Sequence, residues 1–210
     1  GSIMIITNIT SQRDPERVNI FIDNEFAFGL FYSTKEELGL KKGMELDDAL
    51  LERIKSKDEL QSAKSKAYQY LSFRQRSQKE LEDHLLNKEF SQTTVDCVIN
   101  MLRDAGYIND LDFAKAYVRD KTTFKNFGPY RIKNELSQKG ISKDLIEQAL
   151  QQEYQEELQE LVDLVKSKYS SILHDRSEKR FRRIGGFLQR KGHSYDTIKK
   201  VLDIIDGKDD

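Results

Sequence analysis

Three stretches of this chain, residues 77–102, 128–150 and 178–202, carry the same apolar and turn residues at the same spacing. Leu81 and Leu85 coincide with Ile132 and Leu136, and then with Ile184 and Leu188. Lys88 coincides with Lys139 and Lys191, Ser91 with Ser142 and Ser194, and Val95 with Ile146 and Ile198. An internal repeat limits a chain to folds built by stacking one unit on its copies, because each unit buries its apolar face only against a neighbour.

Each unit has a local logic. Apolar residues recur at three and four, which is helical spacing. Lys139-Gly140 and Lys191-Gly192 end one helix, since glycine takes the left-handed conformation beyond a helix C-terminus. Ser142 and Ser194 are then placed to cap the next helix. The first unit keeps Ser91 but has Glu89 in the glycine position, so a differently built turn is expected there. Ser77-x-x-Glu80 reads as a capping box, and Gly128-Pro129 as a cap followed by proline at the first helical position. One further helix lies upstream of each pair, holding Tyr68 and Leu71, then Phe113, Ala114 and Tyr117, then Leu161, Leu164 and Val165.

The N-terminal segment has a different period. Val18, Ile20 and Ile22 alternate, Asp23-Asn24 offers a two-residue turn, and Phe26, Phe28 and Leu30 resume the alternation, which predicts a β-hairpin. The β-branched run from Ile3 to Ile9 supplies a third strand, and Ser33-x-x-Glu36 predicts a capped short helix ended by Gly39. The expected fold is therefore mostly α: three tandem three-helix repeats forming an elongated array, preceded by a small N-terminal β-hairpin or sheet. The expected boundaries are 1–46 for the sheet segment, 47–59 for a connecting helix separate from the next, 60–108, 109–152 and 153–206 for the repeats, and 207–210 for a tail. Residues 1–3 read as a cloning remnant and Met4 as a native start.

Composition agrees with thin helical layers. Hydrophobic residues make up 37% and charged residues 34%, against roughly 45–50% apolar and 25% charged in an ordinary domain. The charge is a mosaic: residues 113–143 hold eight basic and two acidic side chains, net +6, and residues 165–200 hold eleven and three, net +8. Residues 144–163 between them are net −7. A whole-chain pI near 6.4 means that any phosphate contact must come from these local faces.

Enzymatic chemistry finds little support. His84, His174 and His193 are scattered without ligand spacing, and neither a metal nor another cofactor is expected. The lone Cys97 suits a reducing, cytoplasmic setting and reads as a small core residue. Gly185-Gly186 is a weak phosphate-loop suggestion, with close helix packing as the preferred reason for the glycines. The carboxylates Glu153, Glu156, Glu157, Glu160 and Asp163 read as a solvated face, or as one that meets a basic partner. Phe124 and Phe127 fall in a predicted inter-helix loop, where they plug a seam or stack on a base.

The basic clusters are the binding candidates: Arg131, Lys133, Lys139 and Lys143 in the second repeat, and Arg180, Arg182, Arg183, Arg190 and Lys191 in the third. Their guanidinium and ammonium groups are expected to project from the sides opposite the apolar stripe, where they suit phosphate oxygens.

One run of residues is more specific: Tyr68-x-x-Leu71-x-x-Arg74-x-x-Ser77-x-x-Glu80-Leu81, Gly106-Tyr107-Ile108-Asn109-Asp110-x-x-Phe113-Ala114-x-x-Tyr117, and Gly128-Pro129-x-Arg131-Ile132-x-x-Glu135-Leu136-x-x-Lys139-Gly140-Ile141. Over residues 60–205 this order resembles the RecX family of bacterial regulatory proteins. The resemblance implies a monomeric, cytoplasmic, non-enzymatic negative regulator of the RecA recombinase. Such a protein binds the RecA–DNA filament, and single- and double-stranded DNA in a salt-dependent way, limiting strand exchange, ATP hydrolysis and the SOS response, with no membrane involved. The alternative is a sequence-specific DNA-binding regulator in which Lys139-Gly140-Ile141-Ser142 and its copies are helix-turn-helix corners. The polar pairs Lys143-Asp144 and Tyr195-Asp196 that begin its recognition helices are poorly suited to reading base edges.

Overall fold

The computed structural model describes residues 3–208. Gly1 and Ser2 of the proposed cloning remnant, and Asp209 and Asp210 of the tail, lie outside the described residues. The chain divides into two compact units: residues 1–76 with 81–108, and residues 77–80 with 109–210.

In the first unit, strands β1 (Met4–Ser11), β2 (Arg17–Ile22), β3 (Glu25–Phe31) and β4 (Glu45–Leu46) form one antiparallel sheet in the order β3-β2-β1-β4. Asp23 and Asn24 both take positive φ, 51° and 70°, which is the two-residue hairpin geometry that matches strand twist. A bulge between Ile20 and Phe21 pairs Phe21 with Phe26. It therefore breaks the expected alternation, leaving Phe26 60% exposed with its ring edge-on to Phe21. Ile6, Val18, Ile20, Leu30, Leu40 and Leu46 form the sheet's core.

Helix α1 (Tyr32–Leu38) ends at Gly39 with φ 63°, as expected, but it starts before the predicted capping box. Phe31 is its N-cap with no side-chain bond, and Ser33 lies inside the helix. The segment is instead anchored by Asp58, whose Oδ1 accepts from the Phe31 amide and the Thr34 hydroxyl, each at 2.9 Å.

Helix α2 (Asp48–Phe73) is one continuous helix of 26 residues, not the two that were expected. No glycine or proline interrupts residues 48–73, so the ladder has no reason to break. The helix serves two cores in turn: Ile54 packs into the sheet, and Ala63 and Ala67 pack against helices α3 (Gln78–Asn87) and α4 (Gln92–Asp104) of the first repeat. Cys97 is exposed, contrary to expectation. The buried stripe of α4 runs through Val95, Val98, Ile99 and Leu102, which leaves position 97 on the far side.

The second unit contains helices α5 (Asp110–Lys125), α6 (Pro129–Gln138) and α7 (Lys143–Glu153), then α8 (Leu158–Lys168), α9 (Glu178–Arg190) and α10 (Tyr195–Ile205). Repeat-two anchors Ile132 and Leu136 and repeat-three anchors Ile184 and Leu188 are all fully buried, each pair in its own core. The serine caps form as read: Ser142 accepts from the Leu145 amide, and Ser194 from the Thr197 amide. Phe124 belongs to α5, not a loop, and is 77% exposed, whereas Phe127 is a buried plug.

Candidate functional site

The second and third repeats meet through backbone. The Gly128 amide donates to the Lys191 carbonyl at 2.7 Å and the Tyr130 amide to the Gly192 carbonyl at 3.1 Å. Lys191 Nζ donates to the Lys125 carbonyl at 2.9 Å, and His193 Nε2 lies 2.8 Å from the Asn126 carbonyl. These bonds consume groups that a helix N-terminus and a helix C-terminus would otherwise leave unpaired.

Positive charge collects along this seam. Arg131 lies 3.8 Å over the Phe127 ring, donates to Glu135 at 3.0 Å and reaches the Arg190 carbonyl at 3.3 Å. Lys191 lies 5.5 Å from the Phe127 ring and 5.4 Å from Phe187, Lys121 lies 5.9 Å from Phe127, and Lys168 lies 4.4 Å from Phe187. Burial, and then the charges of Arg131, Lys168 and Lys125, push the Lys191 ammonium below its ordinary range. Burial is the larger cause, but the three cations stand close enough to Lys191 to act on it, and a surface that gathers cations in this way attracts anions.

The nine residues singled out in the sequence fall into three groups. Lys133, Lys143, Arg182, Arg183 and Arg190 are exposed. Arg131, Lys139 and Lys191 are half-buried at seams. Within this unit, Lys139 lies 3.5 Å from Glu80, and its carbonyl accepts from the Ser77 hydroxyl at 2.8 Å.

Arg180 corrects the expectation of a solvent-facing cation. It is 7% exposed, makes a two-pronged pair with Asp206 at 2.7 and 2.9 Å, and donates to the Leu173 carbonyl at 2.9 Å. Its position four residues before Ile184 places it on the buried stripe of α9, a signal that was present in the sequence. Lys121, Lys125 and Lys168 were missed. They sit on other helices, and only the packing brings them to the seam.

Several of the remaining polar candidates have local partners. Glu153 pairs with Arg119 at 3.0 Å, and Glu156 accepts from the Thr197 hydroxyl, so the acidic run is not wholly a solvated face. His84 stacks on Tyr70 at 3.8 Å, with Arg76 also 3.8 Å from the centre of that ring. Among the described residues no three His, Cys, Asp or Glu side chains group as a metal site would require. No helix among them is long and apolar enough to cross a membrane.

Comparison with known proteins gives four matches in chain order. Residues 4–47 match the regulatory protein RecX N-terminal domain, and residues 63–102, 109–150 and 155–202 match the first, second and third three-helix domains of RecX. The regulatory protein RecX of Bacillus pumilus (strain SAFR-032) is 40% identical over 98% of this chain and 79% of its own length. The chain belongs to the RecX family. A second RecX relative, from Bacillus subtilis (strain 168), is 37% identical over 98% of this chain and 78% of its own length. A crystal structure of regulatory protein RecX matches 95% of this chain and 99% of that chain with a TM-score of 0.75 at 26% identity. RecX from Lactobacillus salivarius matches 71% and 97% with a TM-score of 0.65 at 31% identity. The sheet followed by three helical repeats is thus the RecX arrangement, and the family is one of regulatory proteins.

Proposed function

We propose that this protein is a non-enzymatic negative modulator of the RecA–DNA filament, acting in the cytoplasm as a monomer. Its second and third repeats contact the phosphates of single- or double-stranded DNA within the filament. RecX family membership supports the RecA part of this reading. The DNA part rests on one observation, the cation-rich seam around Phe127 and Phe187, where Lys191 is crowded by Arg131, Lys168 and Lys125. Lysine and arginine clusters bind a phosphate backbone by releasing its condensed counterions and need no reaction chemistry to do so. Glu157, Glu160 and Asp163 of the acidic run stay exposed and give the same chain charge of opposite sign, suited to basic patches on a protein partner.

A sequence-specific helix-turn-helix role is less well supported. The first turns of α7 and α10 carry Asp144 and Asp196, which would repel phosphate where a recognition helix enters a groove. The test is RecA's DNA-dependent ATP hydrolysis together with filament length, each measured with and without this protein. The proposal expects both to fall as protein is added. No effect at saturation would overturn it.

A further inference from the structure

Helix α9 carries two consecutive glycines, Gly185 and Gly186, in its middle. Close packing was the expected reason, and it applies to the buried Gly185 but not to Gly186. A Cβ on Gly185 would meet Ile198 and Phe181 at 3.7 Å, an ordinary contact, and one on Gly186 would meet only the far end of Arg190 at 3.2 Å. Alanine therefore fits at both positions and is the better helix former; Gly185 is buried, which accounts for a small residue there, but the fold gives no reason for glycine at the half-buried position 186. A glycine there leaves the helix backbone open to close approach by a group from outside the chain.

The surface above these glycines is a groove of about 670 Å³. Its walls include Tyr130, 66% exposed, and the Phe181–Tyr195 pair, with ring centroids 5.9 Å apart. Arg182 stands at its edge. A second, independent feature lines the same groove: His193 is 5% exposed, and its Nδ1 has no hydrogen-bond partner among the described residues. Its Nε2 faces the Asn126 carbonyl and so carries the proton. Burial holds the ring below its ordinary titration range, so Nδ1, itself buried beneath the groove wall, is a neutral acceptor that a donor reaches only by entering the groove against the ring.

We infer that this groove takes an unpaired nucleobase of a single strand, stacked on the exposed rings above the Gly185–Gly186 floor, with His193 Nδ1 accepting from a base N–H and Arg182 meeting the adjoining phosphate. The sequence of α9 supplies the matching charge, with Lys179, Arg182, Arg183 and Arg190 exposed and Glu178 its one acid. Aromatic stacking beside such a charged surface is how single strands are held without regard to sequence. The inference rests on the DNA contact proposed above and adds to it the base, the strand state and the site.

The test compares a fluorescein-labelled oligo(dT) with an abasic phosphodiester strand of equal length and with an oligomer of N3-methylthymidine, which lacks the N–H donor. Affinities are measured across a salt series for the whole chain and for its Gly185→Ala/Gly186→Ala variant. The intact protein should bind oligo(dT) roughly tenfold more tightly than the abasic strand, with the N3-methyl strand between them. The double variant should melt a few degrees higher yet lose most of the preference for oligo(dT). Equal, salt-dependent affinity for all three strands in the intact protein would overturn the base site while leaving the phosphate contact standing. Absence of salt-dependent binding to any of them would overturn the phosphate contact itself, and the base site with it. Equal affinities combined with loss of RecA binding in the double variant would reassign the groove to a protein side chain.

Discussion

Gly128 lies directly against Gly192: a Cβ on Gly128 would stand 2.4 Å from the Gly192 carbonyl oxygen, and one on Gly192 would stand 2.4 Å from the Arg131 amide nitrogen. Gly192 also has φ +100°, so two independent conditions exclude a side chain there. The other positive-φ positions separate these conditions. A Cβ on Gly106, φ +81°, would meet nothing within 4 Å, and Glu89 adopts φ 68° with an exposed side chain.

Alanine at these positions should therefore cost unequal amounts. Gly106→Ala carries only the left-handed penalty of about 1–2 kcal/mol, whereas Gly192→Ala adds a backbone clash and should exceed about 3 kcal/mol. Glu89→Gly should be stabilising by up to about 1 kcal/mol. Chemical denaturation of the three variants checks the order. Equal costs for Gly106→Ala and Gly192→Ala would show that the seam yields.

Lys139-Gly140 and Lys191-Gly192 were legible as helix ends, because the left-handed turn is a local property. The closeness of Gly192 to Arg131 was not legible, since it depends on how one repeat seats on another. The same division explains the site. Arg182, Arg183 and Arg190 were found as a run on one helix, while Lys121, Lys125 and Lys168 reach the seam only through packing. Arg180 belongs to the same run, but its spacing of four from Ile184 puts it on the buried stripe of α9.

Arg180 and Arg182, two residues apart, should behave as opposites. Removing Arg180 leaves Asp206, whose side chain is 6% exposed, with only the more distant Arg176 at 3.9 Å, and should cost up to about 3–5 kcal/mol. Arg182→Ala should change stability by less than about 0.5 kcal/mol but weaken DNA binding. Thermal melts paired with binding isotherms separate the two effects, and an unchanged melting temperature for Arg180→Ala would contradict the buried pair.

Acid should destabilise the seam through His193. Burial lowers its folded-state pKa below the ordinary 6.5, so the unfolded chain binds the proton first as pH falls. This contribution is intact above pH of about 6.5 and is lost as pH falls through the depressed folded value. His84, lowered mainly by burial, acts with the same sign in the first unit. Melting temperature should therefore drop as pH falls from about 7.5 to about 5.5, and His193→Gln should reduce that slope. A slope unaffected by the substitution would place the titration elsewhere.

The salt dependence of DNA binding reports how many phosphates the seam holds. Lys125 and Lys168 of the seam, and Arg183, which lies 5.6 Å from the Tyr169 ring that packs on Phe187, are exposed, so changing all three to Gln should leave the melting temperature nearly unchanged. If the seam of the second and third repeats holds phosphates, the slope of log affinity against log salt should shrink by about 2 to 3, close to one for each lost contact. A triple variant with the affinity and slope of the unaltered protein would contradict the account.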